Sequence, residues 1–139
     1  MNRVAQYQNI QVMTADKVRI IIMLYDGVLR FNRCAQKAIA EKKIESRNLY
    51  INKSLAIISE LANSLNMEEG GEVAMNLARL YDFAQSSLTK ANLTNDASAI
   101  DGVNRVMAEL KAGWEAIAHS SSATAAEPRR EGAGVSYGG

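Results

Sequence analysis

The sequence predicts an all-α fold: an antiparallel four-helix bundle with a short N-terminal cap segment and a disordered C-terminal tail. Three observations carry this. Apolar residues recur at helical spacing through most of the chain, no stretch alternates with period two for long, and the sole proline, Pro128, lies near the end. The expected division is 1–13 for the cap segment, 14–119 for the bundle and 120–139 for the tail. At 139 residues the chain is one domain by size and long enough to bury a core.

The first helix is predicted from about Ala15 to Lys42, with Thr14 as cap and Asp16 near the positive end of the dipole. Its polar residues Arg19, Asp26, Arg30, Arg33 and Lys37 collapse onto one narrow stripe, and most other positions are apolar. A surface helix needs an apolar arc of ~100° or a little more, so this one demands cover from more than one side. The second helix is predicted from about Glu45 to Asn66, with a core stripe of Ile51, Leu55, Ile58, Ala62 and Leu65. Gly70-Gly71 punctuates the chain. The third helix follows from about Glu72 to Leu93 on a stripe of Val73, Leu77, Leu80, Tyr81, Ala84, Leu88 and Ala91. Asn95 or Asp96 suits the N-cap of a fourth helix ending near His119, with Ile100, Val103, Met107, Leu110, Trp114 and Ile117 inward. Short connections favour up-down neighbours. From Ser120 the chain turns to Ser, Ala, Gly and isolated charges, the composition of a disordered tail.

Composition excludes several function classes. With 47% hydrophobic and 22% charged residues and a net charge of +1, no bulk field recruits nucleic acid or anionic membrane. No apolar run approaches the ~20 residues of a membrane span, and residues 1–11 lack the apolar core of a secretory signal. Cys34 alone permits no internal disulfide and fits a reducing compartment, so the expected location is the cytoplasm. Cys34 itself reads as buried filler.

Catalytic equipment is absent. The single histidine, His119, reads as a last-turn residue complementing the helix dipole. Glu115 and His119 stand at i, i+4, but a di-iron centre needs several further carboxylates and a second Glu-x-x-His element. No Walker loop, dinucleotide glycine pattern or zinc spacing is present. The expectation is a protein with no cofactor, no metal and no enzymatic activity. The basic stripe of Arg30, Arg33 and Lys37 reads as a solvated face, or as a set of salt-bridge partners for another chain. The surplus apolar surface then has three readings: cover by the chain itself, a homodimer face, or a groove for an amphipathic or unfolded chain.

The segments Tyr7-Gln8-Asn9-Ile10-Gln11-Val12-Met13-Thr14-Ala15, Met23-Leu24-Tyr25-Asp26-Gly27 and Asn66-Met67-Glu68-Glu69-Gly70-Gly71-Glu72-Val73-Ala74 stand in order, followed by Leu80-Tyr81-Asp82-Phe83, Ala91-Asn92-Leu93, Asn95-Asp96 and Trp114. Over residues 5–118 the chain closely resembles the FliS family, bacterial export chaperones specific for flagellin. Where that family usually has Ser-Pro after Thr-Ala, this chain has Asp16-Lys17. The resemblance implies a helical bundle that holds the C-terminal segment of flagellin, blocks premature polymerisation and delivers it to a component of the flagellar export gate. An antagonist or co-chaperone and a second copy of the chain are further partner classes; a non-enzymatic homodimeric adaptor is the alternative function. Nucleic acid and membrane insertion are not expected.

The resemblance points to hydrophobic grooves and an N-terminal cap without fixing single positions. Helical wheels select Ile20, Met23 and Leu24 on the first helix, Tyr50, Ile57 and Leu61 on the second, and Met75 and Phe83 on the third. A bundle core would also accept each of them. Tyr7, Ile10 and Val12 are the candidates for the cap. Gly27 is expected to permit close helix approach, and Tyr25 to fall in the core.

Overall fold

The computed structural model describes the backbone of residues 15–132 and side chains through residue 120. Thr14 and the cap candidates Tyr7, Ile10 and Val12 lie outside the described residues. Four helices follow one another: α1 Ala15–Ala40, α2 Ile44–Asn63, α3 Met67–Thr94 and α4 Ser98–Gly132. Each packs on its neighbours in sequence, and α1 also packs on α4, which closes the ring. This is the up-down bundle that short loops favour.

The junctions explain the boundaries. After α1, Lys42 takes the left-handed conformation, with φ 59°. Its N–H bonds to the Ile39 carbonyl and the Lys43 N–H to the Ala38 carbonyl, the paired bonds of a Schellman stop. α2 ends at Asn63, before the expected Asn66, because Asn66 starts the next helix: its Oδ1 accepts from the Glu69 N–H at 2.9 Å. α3 therefore begins one turn before the expected Glu72, and the predicted break survives as a kink at Gly71, with φ 54° and ψ −131°. Asn95 closes α3 at φ 57°, and Asp96 accepts from the Ser98 N–H at 3.0 Å. The two cap candidates thus serve different helices. Ser98 bonding holds the Asp96 carboxyl below its usual range. α4 carries on beyond His119, past the change in composition at Ser120. The Ala, Glu and Arg residues there are good helix formers, which polarity alone does not reveal.

The core runs through Tyr25, Val28, Leu29, Ile51, Ile58, Leu88, Ile100, Val103 and Met107. Val73, expected inside, is half exposed just beyond the Gly71 kink. Two polar layers interrupt the apolar core. In one, the Tyr25 and Tyr81 hydroxyls bond to each other, and the Trp114 indole N–H donates to Tyr25 at 3.3 Å. In the other, the Ser54 hydroxyl bonds to Asn32 Oδ1, and the Asn32 amide donates to Asn104 Oδ1 at 2.9 Å. Gln36 extends this second layer to Asp101, donating at 2.8 Å. Among the described residues, no buried side-chain polar atom lacks a partner, so neither layer carries the penalty of an unmade hydrogen bond.

Candidate functional site

The seam between α1 and α2 carries two of the exposed large apolar residues, Ile20 and Met23; α3 carries others, Met67, Val73, Met75, Phe83 and Leu93. On α1, Ile20, Met23, Gly27 and Phe31 recur at spacings of three and four, which places them on one face. On α2, Tyr50, Lys53, Ile57 and Leu61 do the same. The two faces meet. A Cβ built on Gly27 would lie 3.0 Å from Ile57 Cδ1. The rings of Phe31 and Tyr50 stack with centroids 6.1 Å apart at 24°. Glycine at position 27 therefore lets the helices approach closely here, and the exposed and half-buried apolar residues along the seam make it a candidate groove.

The groove has two unlike ends. One holds Ile20 and Met23, 55% and 61% exposed, with half-buried Leu24 and Ile57 beside them. The other holds the half-buried Phe31–Tyr50 pair. There the Arg30 guanidinium lies 5.2 Å from the Phe31 centroid and the Lys53 ammonium 5.6 Å from it. Cys34 is half-buried one turn beyond Phe31 rather than sealed in the core.

The expected site residues divide accordingly. Helical spacing puts Ile20, Met23 and Leu24 on the α1 face, and Tyr50 and Ile57 on the α2 face, of this seam. Leu61 does not belong to its surface: it is 3% exposed and part of the core cluster, which corrects its assignment to the groove. α2 is covered from both sides, by α1 and α3, so a position at the margin of its stripe is sealed. Met75 and Phe83 are exposed, but on α3 and apart from the groove. Phe83 instead faces α4, where a Cβ on Gly102 would lie 3.5 Å from its ring.

Helical wheels do not select Phe31, although its place four residues after Gly27 is a usable signal. Nor does periodicity join Tyr25, Tyr81 and Trp114 into one layer. The repeated Leu-Tyr-Asp at 24–26 and 80–82 was its trace in the sequence.

Flanking the groove, Lys111 bonds Asp26 at 2.7 Å, which raises the lysine's pKa. Arg33 lies on that α4 side, where its charge opposes protonation of Lys111. Among the described residues there is no cluster of three metal-ligating side chains, and no helix is long and apolar enough to cross a membrane. The geometry suits burial of apolar side chains from an elongated partner.

Comparison with known proteins identifies the family. The profile of the family described as "Flagellar protein FliS" matches residues 1–121. The flagellar secretion chaperone FliSB of Pseudomonas aeruginosa is 37% identical over 123 residues, covering 86% of this chain and 98% of that protein. The flagellar secretion chaperone FliS of Campylobacter jejuni is 39% identical over 71% of this chain and 77% of its own length. Its counterpart in Vibrio cholerae is 34% identical over 77% and 79%.

Proposed function

The chain belongs to the FliS family, and from that premise we propose that it is a cytoplasmic chaperone whose α1–α2 groove holds the C-terminal segment of flagellin before export. The family is one of flagellar secretion chaperones, not of enzymes. One observation carries the reading: Ile20 and Met23 stay more than half exposed at the mouth of a groove that continues into Ile57 and the Phe31–Tyr50 pair. An unfolded flagellar subunit supplies what that surface needs, an apolar chain free to order on it. Coupled ordering of this kind buries roughly 1,000–3,000 Å². Occupying the subunit's assembly segment prevents early polymerisation, and handover to an export-gate component releases it. An antagonist or co-chaperone would act by competing for the same groove or by binding beside it.

The test is binding of a peptide comprising the last ~40 residues of flagellin, a length that spans helices about 40 Å long. The full chain is expected to bind it and Met23→Asp/Ile57→Asp to lose it, with helical melting little changed. A peptide-independent dimer that takes up no peptide would favour the homodimeric adaptor instead.

A further inference from the structure

The candidate groove is electrostatically lopsided among the described residues. Arg30 on α1 and Lys53 on α2 both lie over the Phe31 ring, one from each wall. Among the described residues neither forms a salt bridge, unlike Arg19 with Asp16, Lys43 with Glu41, and Lys111 with Asp26 and Glu115. Contact with the ring face restrains both long side chains. A partner therefore meets two cations whose ordering cost is partly met beforehand. At the opposite end, Arg19 is engaged with Asp16 at 3.9 Å.

Resting on the flagellin-binding reading, we propose that the segment filling this groove must place an aspartate or glutamate side chain at the Phe31–Tyr50 end, bridged by Arg30 and Lys53, while its apolar side chains cover Ile20, Met23 and Ile57. Arg30 and Lys53 then set the direction and register of the bound segment, and the apolar end supplies most of the affinity. Two cations beside a continuous apolar groove suit a single carboxylate on a hydrophobic chain. A polyanion would need a longer track of charge. Arg33 lies outside the arrangement: seven residues after Asp26, it shares the face of α1 from which Asp26 meets Lys111 on α4.

The experiment titrates the full chain with the flagellin C-terminal peptide and with a version whose Asp and Glu residues are replaced by Asn and Gln. The chaperone variants are Arg30→Gln/Lys53→Gln, Arg33→Gln as control, and Met23→Asp/Ile57→Asp. The double glutamine variant is expected to bind the native peptide roughly three- to tenfold more weakly, the range for two partly exposed pairs, with a flatter salt dependence. It should bind the amidated peptide no worse than the unsubstituted protein does. Unchanged affinity for the native peptide, an equal loss on both peptides, or an equal loss in Arg33→Gln would overturn the proposal. Unweakened binding by Met23→Asp/Ile57→Asp, or no peptide binding by the unsubstituted protein, would instead refute the groove reading and this proposal with it. Arg30 and Lys53 are exposed, so circular dichroism of the double variant should match the parent. Lys53→Met, which keeps an apolar stem over the ring, should reproduce the lysine's share of the loss.

Discussion

The hydroxyls of Tyr25 and Tyr81 bond to each other across the diagonal of the bundle, joining α1 and α3, which pack chiefly on their ring neighbours. Trp114 joins them from α4, so a single polar cluster ties three of the four helices.

Removing the central member should do more harm than removing a terminal one. Tyr25→Phe leaves both the Tyr81 hydroxyl and the Trp114 N–H without their partner, whereas Tyr81→Phe leaves Tyr25 still accepting from Trp114. Urea denaturation should show a loss of about 1–3 kcal/mol for Tyr25→Phe and a smaller one for Tyr81→Phe. In a double-mutant cycle the two losses should not add. Equal, additive losses would mean that the cluster does not act as a unit.

Burial raises the pKa of both tyrosines; the second hydroxyl and the indole only partly offset this for Tyr25, and at Tyr81 the Tyr25 hydroxyl adds to the rise. The folded state therefore holds these protons more tightly than the unfolded chain, whose tyrosines titrate near pH ~10. Their contribution to stability is full below that pH and falls above it, by at most about 1.4 kcal/mol per pH unit for each tyrosine. The alkaline limb of a stability–pH curve should be shallower in Tyr25→Phe/Tyr81→Phe than in the parent. Parallel limbs would refute this.

Leu61 and Ile57 lie one turn apart on α2 and should respond oppositely to the same substitution. Leu61→Asp buries a carboxylate in the core and should cost several kcal/mol, enough to abolish cooperative melting. Ile57→Asp meets water on one side and should mainly weaken peptide uptake. Parallel melting and binding measurements on the two variants decide it. Loss of folding in both would place Ile57 in the core as well.

Gly71 holds a backbone conformation that side chains resist, with φ 54° and ψ −131°. Gly71→Ala should therefore destabilise by about 1–3 kcal/mol, although alanine is the better helix former. At Gly27 the conflict is spatial: Gly27→Ala gains about 1 kcal/mol of helix propensity but presses on Ile57 Cδ1 at 3.0 Å. Its melting temperature should move by only a few degrees, while Gly27→Leu should fall well below the parent. A Gly71→Ala variant as stable as the parent would show that the kink relaxes at no cost.

Helices were legible in the sequence because periodicity is a local property, and Ile100, Val103 and Met107 show it cleanly. Pairing between helices was not. A wheel gives the angular position of Leu61 but not the direction of its neighbours, so a residue at the edge of the stripe looked like surplus surface. For the same reason Phe83 was grouped with Ile57, although it faces α4. The Tyr25–Tyr81 contact spans 56 residues, and periodicity carries no information about which rung of one helix meets which rung of another. Cap residues were intermediate. Asn95 and Asp96 were both visible as candidates, and only the left-handed turn at Asn95 assigns one to each helix.

The ring closed by α1 and α4 has a bearing on the protein's own birth. Trp114 and Tyr25 are 89 residues apart, so during synthesis α1 must wait for α4 before its inner face is covered. Long-range closure of this kind slows folding. A nascent chain halted before α4 would expose Tyr25, Val28 and Leu29, and for that interval would itself be in need of protection.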